Sequence, residues 1–485
     1  MLSSRLHLLS PILLRPGSTR PFASGEFAST VETIAARALI GEFNRSMPSN
    51  PRKCQKTVLL LHPPGACSAF TRSGSQYPPL GLNQLKALIN DTSIVDVLEA
   101  DGLDLSVEET VQSISMIAPK AIGMTVTCGT KPLVNAWSTV CKHLDPEYKP
   151  IVLVGGPATA FESQSIADEC PFVDVVVKGE GEVTFPGIVE IIKATRDRDQ
   201  ALSQLAKMPG VCVRNKPAMN DWKIPNLPRE AFRTLPFPDL SASPVEKYKA
   251  PDAQRLPMVT MMTQRGCIAK CAFCNTPQIH GSQIRGWSNE QVVNELLKLK
   301  STHAIREVSF VDDVFTNRPG GPRKLCELMI QHKLNLSWYC NVRADQVTER
   351  MAVAMKKAGC HQVFMGFESG CDEMLRSINK GEKVADLESG AALLKGVGIN
   401  ISIGFIVGLP GETDESVAKS IALCNRVKPN RVQFTRYTPI PGSRLASHED
   451  VTSLVGKGFH DRTEKDQVER WLEQCYAACQ YRPSV

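Results

Sequence analysis

The sequence lacks any apolar stretch approaching the roughly 18 residues that a bilayer span needs, although 42% of its 485 residues are hydrophobic and 22% are charged. That balance excludes a membrane span and fits a globular protein with a sizeable core, in a chain too long for one ordinary domain. A basic footprint is missing too. The formal charge is +6, but residues 1–53 carry seven Lys or Arg against three acidic residues, so the remainder is nearly balanced and a nucleic-acid partner is set aside. The sixteen cysteines are scattered through a long chain and show no small-scaffold disulfide pattern. Reduced thiols in an intracellular compartment are the better reading.

What is present begins with a distinctive leader. The first 25 residues hold Arg5, Arg15, Arg20 and five serines, with no acidic residue before Glu26. This is the composition of a mitochondrial or plastid transit peptide; Pro11 breaks the apolar run and no A-x-A site is evident, so a secretory signal fits less well. The alternatives are a disordered leader on a cytoplasmic protein and a start placed too early.

From Thr57 onward, apolar runs alternate with helix-like stretches. The runs 57–61, 94–98, 121–126, 151–154 and 173–177 read as buried strands, and 80–90, 107–117, 133–144, 163–169 and 183–194 as helices. Such alternation predicts a parallel, doubly wound α/β sheet over 54–194, following a leader over 1–53. Ligands of such sheets sit beyond the strand carboxyl ends. There the sequence places His62-Pro63-Pro64-Gly65, Thr127-Cys128-Gly129-Thr130, Gly155-Gly156-Pro157 and Gly179-Glu180-Gly181-Glu182. Glycine at these tips lets backbone approach a large flat ligand, although it also simply closes βα turns.

Residues 195–256, with Leu235-Pro236-Phe237-Pro238-Asp239, read as a proline-rich linker packed along the first domain. A second alternating series of six strands, at 258–262, 307–311, 336–340, 362–366, 401–406 and 431–435, predicts a partial (β/α)6 TIM-like barrel over 257–445, open because the usual count is eight. A short polar tail, 446–485, closes the chain.

Chemistry is concentrated in Cys267-Ile268-Ala269-Lys270-Cys271-Ala272-Phe273-Cys274, spaced C-x3-C-x2-C and following the first strand of the second series. Thiolates are the usual ligands of iron–sulfur clusters, and three would leave one iron without a protein ligand, an open position of the kind that marks catalytic metals. Zinc is the alternative; it would need a fourth Cys or His, and His280 lies six residues on. Cys475 and Cys479, four residues apart, read as one helix face, since two cysteines cannot complete a second cluster.

The cysteine loop with an aromatic before its last cysteine resembles the signature of the radical S-adenosylmethionine (SAM) superfamily. Val311-Asp312-Asp313, Gly366-Phe367-Glu368-Ser369-Gly370 and Gly404-Phe405-Ile406-Val407-Gly408-Leu409-Pro410-Gly411-Glu412 fall at further strand ends as that family expects. The resemblance spans about 257–443; it departs in carrying Asp312-Asp313 where Gly-Gly-Glu is common. Tyr77-Pro78-Pro79-Leu80-Gly81-Leu82, the Gly-Glu-Gly-Glu turn and Leu235–Asp239 look like the cobalamin-binding branch. The resemblance implies a [4Fe–4S] cluster on Cys267, Cys271 and Cys274, with SAM contacts from Phe273, Asp312, Asp313, Arg343, Glu368 and Gly408. It implies cobalamin over His62, Cys128, Gly129, Gly155, Gly156, Gly179, Glu180, Gly181 and Glu182, held without a histidine on cobalt because the D-x-H-x-x-G motif is absent. Arg343 is equally a structural ion pair, and Arg436 and Tyr437 face a substrate opening or pack the rim.

The implied activity is methylation of an unactivated carbon through a 5′-deoxyadenosyl radical and methylcobalamin, fed by a flavodoxin- or ferredoxin-type electron donor. Ring formation on the same cofactors, as in anaerobic magnesium-protoporphyrin ester cyclases, is the alternative; a non-catalytic cobalamin carrier is the other. Neither the small-molecule or peptide substrate nor a catalytic side chain is legible.

Overall fold

The computed structural model describes residues 56–66, 77–89, 91, 93–127, 129–144, 148–216, 226–318, 320–446 and 462–479. The leader and Cys128 lie outside them. Two compact units form the chain: Met1–Leu227 with Leu235–Pro251, and Pro228–Thr234 with Asp252–Val485.

In the first unit, strands β1 (Val58–His62), β2 (Val95–Glu99), β3 (Ala121–Thr125), β4 (Ile151–Gly155), β5 (Val175–Val177) and β6 (Val211–Val213) lie in the order β2-β1-β3-β4-β5-β6. The first five are mutually parallel and β6 runs antiparallel to β5. Helices α1 (Leu80–Leu88), α2 (Val107–Ile117), α3 (Lys131–Lys142), α4 (Thr159–Glu169), α5 (Gly181–Ala194) and α6 (Arg198–Leu205) join them. Because successive strand residues point to opposite faces, Leu59 and Leu61 meet Val111 of α2 and Trp137 of α3 in one core. Val58 and Leu60 meet Leu82 of α1 and Phe185 of α5 in the other. The sheet is therefore doubly wound, as the alternation predicts. The periodicity left out α6 and β6, which fall in the expected linker and extend the sheet by one edge strand.

The rest of that linker is shared between the units. Asp239 binds α1 twice, its N–H to Asn83 O at 3.1 Å and its carboxylate to Lys86 at 3.2 Å. Glu99, buried at the end of β2, accepts from Asn83 Nδ2 at 2.9 Å and from the hydroxyls of Ser243 and Tyr248. A buried carboxylate needs such donors, and they are what seats 235–251 on the sheet.

In the second unit, α7 (Arg229–Thr234) precedes β7 (Met258–Met261), and a small hairpin follows, β8 (Gln264–Arg265) with β9 (Arg285–Gly286), enclosing α8 (Thr276–His280). The chain continues through α9 (Asn289–His303), β10 (Glu307–Phe310), α10 (Pro322–Gln331), β11 (Ser337–Val342), α11 (Glu349–Lys357) and β12 (Cys360–Glu368). Then come α12 (Asp372–Ser377), α13 (Val384–Gly396), β13 (Asn400–Val407), α14 (Asp414–Val427), β14 (Arg431–Arg436) and α15 (Arg462–Ala478). The six long strands are parallel, ordered β7-β10-β11-β12-β13-β14, with β7 and β14 as edges, which is the expected partial barrel. The polar tail carries α15, the helix on which Cys475 and Cys479 share a face. It covers the β14 edge: the Tyr476 hydroxyl accepts from Phe434 N at 3.1 Å and donates to Phe434 O at 3.0 Å. No helix among the described residues is long and apolar enough to cross a membrane.

Tyr248→Phe removes one donor from buried Glu99. A loss of about 1–3 kcal/mol is expected, read as a lower melting temperature of the first unit in calorimetry; an unchanged transition would show that Glu99 does not need this bond.

Candidate functional site

Cys267, Cys271 and Cys274 stand between β8 and α8, beyond the carboxyl end of β7. Gly266 makes the loop possible. Its φ is +102°, and a Cβ there would sit 2.6 Å from Gln283 O, so no side chain is tolerated. The loop is clipped from two directions. Ala272 N donates to Ile378 O at 2.7 Å and Ala272 O accepts from Leu445 N at 2.9 Å. Asn379 Nδ2 reaches Lys270 O at 2.8 Å, and Asn275 Nδ2 reaches Pro441 O at 2.9 Å.

Burial pushes the Cys267 and Cys271 thiols up, while Arg343 pulls both down and Lys380 also pulls Cys271 down. Thr276 N–H points at Cys274 Sγ, 3.4 Å away. Burial wins and both thiols are raised, but these cations and the N–H offset part of that cost and would support thiolates bound to a cluster.

The two aspartates after β10 part company. Asp312 is fully buried and accepts from Thr263 N at 2.5 Å, Thr263 Oγ1 at 2.6 Å and Gln264 N at 3.1 Å. Burial pushes its carboxyl up to about 6 against the nearby Arg318. Both oxygens of Asp312 thus pin the start of the cysteine loop. Asp313 is half-buried, accepts from Gly266 N at 3.2 Å and is close enough to raise Cys267.

Arg343 spends its fork on Asp345, with bonds of 3.1 and 3.0 Å, and lies 3.4 Å from Glu382. The structural ion pair is what the structure shows, although its charge reaches the cysteines. Glu368, at φ +61°, pairs with Lys380 at 3.0 Å, and Lys380 also lies 3.4 Å from Glu382. Burial alone would lower the Lys380 ammonium; the two carboxylates outweigh it and raise it. Lys380 and Glu382 went unnoticed in the sequence, where the signal was a charge pair in Asn379-Lys380-Gly381-Glu382 shortly after a strand end. Phe273 is half-buried in the loop.

Gly408, expected beside SAM, has φ +90°, and Val468 of α15 occupies the place of its missing Cβ. Its N–H donates to Glu412 Oε2 at 2.5 Å and Leu409 N donates to the same oxygen at 3.3 Å. Arg436 pairs with Glu469 of α15, so it packs the rim. On the face of the sheet opposite Val363, Met365 and Phe405, Phe364 is 36% exposed and leans over Gly404, whose Cβ would meet its Cζ at 2.8 Å. Gln433 and Thr435 beside them are exposed.

In the first unit the strand order changes direction between β1 and β3, the crevice where doubly wound sheets bind flat cofactors. His62 ends β1 there. Its Nδ1 is buried without a hydrogen-bond partner among the described residues, and burial lowers its pKa although Asp101 and Glu99 pull the other way. An orphaned nitrogen at the switch point suits a bound ligand. Gly129 precedes α3, and Gly155 has room, its nearest neighbour being 3.9 Å from a Cβ.

Three other residues of these turns have close partners within the protein. A Cβ on Gly156 would meet Val126 O at 2.7 Å, and one on Gly181 would meet Leu85 at 3.0 Å, so both glycines serve internal packing. Glu180 is buried and accepts from Leu227 N at 2.7 Å. Gly179 takes φ +82° and turns the chain into α5, and Glu182 lies in that helix's first turn.

Lys380→Met would leave Glu368 and Glu382 buried without their shared cation, at a cost of about 3–5 kcal/mol. Denaturant unfolding should show this loss and its partial recovery on adding Glu368→Gln; a loss below about 1 kcal/mol would mean that the group is solvated. Burial also pushes Glu412 from 4.5 up to about 7, against the bonds from Gly408 and Leu409. The folded state then binds more protons than the unfolded state between those values, so this contribution to stability declines as pH rises through 7. Glu412→Gln keeps both acceptor bonds; it should melt higher than the parent at pH 8 and gain nothing at pH 4.5. Parallel melting curves at both pH values would refute the assignment.

The chain matches the Radical SAM superfamily over residues 261–424 and the B12 binding domain over residues 68–189. It is 30% identical over 447 residues to a protein of Pyrococcus horikoshii described as an uncharacterized methyltransferase, covering 88% of this chain and 93% of that one. It is 26% identical to the anaerobic magnesium-protoporphyrin IX monomethyl ester cyclase of Rubrivivax gelatinosus, covering 80% and 69%. The fold is similar to that of the radical SAM methyltransferase TsrM from Kitasatospora setae, solved with cobalamin and a [4Fe–4S] cluster, at TM-score 0.62 and 17% identity, covering 81% and 77%. The chain thus belongs to the cobalamin-binding family of radical SAM enzymes.

Proposed function

We propose that this chain methylates an unactivated carbon, with residues 54–194 as the cobalamin-binding domain and 257–445 as the radical SAM domain. The reading is carried by the three-cysteine loop at the strand ends of an open barrel, where Arg343 acts on Cys267 and Cys271 and Lys380 acts on Cys271. Kinship with a described methyltransferase along 93% of that protein's length supports the reaction class.

On this reading Cys267, Cys271 and Cys274 hold the [4Fe–4S] cluster, Asp313, Phe273 and Lys380 border SAM, and His62, Gly129 and Gly155 border cobalamin. Bound there, the cluster and SAM would supply reductive radical generation and cobalamin would supply methyl transfer, so the hard chemistry would belong to the cofactors. The protein's own part is positioning and exclusion of water. Asp312 fixes the start of the loop, Glu412 shapes the Gly408 turn, and Phe364 offers a flat apolar floor for substrate. A flavodoxin- or ferredoxin-type protein would supply electrons. The arginine- and serine-rich leader supports a mitochondrion or plastid as destination.

The test is anaerobic: reconstitute the full chain with iron, sulfide and hydroxocobalamin, then reduce it with methyl-labelled SAM. 5′-Deoxyadenosine together with label transferred to cobalamin is expected. Cys267→Ala should abolish 5′-deoxyadenosine and leave cobalamin uptake intact; persistence of the product in that variant sinks the cluster assignment. 5′-Deoxyadenosine without label transfer favours ring formation, the reading that the cyclase relative supports. Failure to take up iron favours a cobalamin carrier.

A further inference from the structure

Where α14 and α15 end side by side, three thiols meet that have no part in the site above. Cys475 and Cys479 lie one helical turn apart, on one face, Cys479 N–H bonding to Cys475 O at 3.1 Å. Opposite them, Cys424 stands in the last turn of α14, its Sγ 3.1 Å from Cys479 Sγ. All three are buried. Among the described residues they make no metal-binding group. A disulfide bond of about 2.05 Å needs the two sulfurs to move roughly 1 Å closer.

The helix they would fasten is placed to matter. Beyond Tyr476 on the edge of β14, Trp471 Nε1 donates to Asp414 Oδ1 at 2.6 Å and Asn425 Nδ2 donates to Ala478 O at 3.2 Å. Val468 closes over Gly408, lying 2.9 Å from where its Cβ would be. These contacts, the thiol pair included, are noncovalent.

We propose that Cys424 and Cys479 form a reversible disulfide that fastens α15 to α14, with a low-molecular-weight disulfide as oxidant and Cys475 remaining reduced. One cysteine thiolate attacks the oxidant, giving a mixed disulfide and releasing one thiol; the second cysteine then displaces the other thiol. The S–S bond of the oxidant breaks and one forms in the protein. The two cysteines give up two electrons and two protons, which leave on the two released thiols. Cys479 begins the exchange. It lies at a helix end, where opening to the oxidant is easiest. Burial pushes Cys475 up to about 12, which keeps it a poor nucleophile.

This inference is independent of the cofactor assignment and is tested on the full chain. After equilibration with oxidised glutathione, alkylation and digestion, a peptide pair joining Cys424 to Cys479 is expected in the parent and in Cys475→Ser. It should be absent from Cys424→Ser and from Cys479→Ser. Hydrogen exchange in residues 462–479 should slow by about tenfold or more on oxidation, in the parent but in neither of those two variants. A link to Cys475, full alkylation of Cys479 after oxidation, or unchanged exchange in the linked protein would each overturn the proposal. Should Cys424→Ser fail to fold, Cys479→Ser at the helix end supplies the same comparison.

Discussion

The second unit depends on one buried ionic knot, the ammonium of Lys380 between Glu368 and Glu382 with Arg343 alongside. Charges removed from water are costly unless each finds partners of good geometry. The knot meets that demand by drawing together the ends of β11 and β12 and the segment after α12. Its cost is visible in the backbone: β12 breaks register between Gly366 and Glu368, and Glu368 takes a left-handed conformation that non-glycine residues avoid. The same segment offers Ile378 O to Ala272 N and Asn379 to Lys270 O. The position of the cysteine loop is therefore set by an ion cluster outside its own sequence, and the cations of that cluster are those that favour thiolates on the loop.

The first unit solves a similar problem with neutral donors. Glu99 at the end of β2 is satisfied by Asn83, Ser243 and Tyr248, which ties 235–251 to α1 and leaves the neighbouring strand end, with the orphaned Nδ1 of His62, at the switch point of the sheet. In both units a buried carboxylate at a strand end organises chain that lies far away in sequence, and the ligand-facing groups are those left over once that demand is met.

Strand and helix periodicity was legible because both sheets are parallel and covered by helices, so their strands read as apolar runs. Elements too short to carry a period were not: three-residue β6, the two-residue strands of the β8–β9 hairpin and five-residue α8. Within the site, the spacing of the cysteines was plain, whereas the direction of neighbouring side chains was lost by leaving strand parity unused. Val308, Phe310 and Asp312 share one face and are buried; Ser309, Val311 and Asp313 share the other. Alternation alone would have separated the two aspartates. No such rule reaches Lys380, which joins the site through a loop and a short helix, nor the close packing of Gly156 on Val126 and of Gly181 on Leu85.

The charge economy of the open barrel also bears on the reaction. Asp312 is committed to Thr263 and Gln264, Arg343 to Asp345 and Glu382, Glu368 to Lys380 and Arg436 to Glu469. The strand-end charges are tied up in pairs, and Phe364, Gly404, Gln433 and Thr435 add no charge of their own to the face they share. General acid–base chemistry needs a free titratable group within reach of the reacting atom, whereas Glu368 and Lys380, which border this face at Gly366, are bound to each other. Removal of hydrogen from an unactivated carbon makes no such demand; it asks that the carbon be held still against a surface that neither donates nor takes a proton. A flat apolar ring with neutral hydrogen-bonding groups beside it meets that requirement, so selectivity on this face rests on shape and on neutral hydrogen bonds more than on charge.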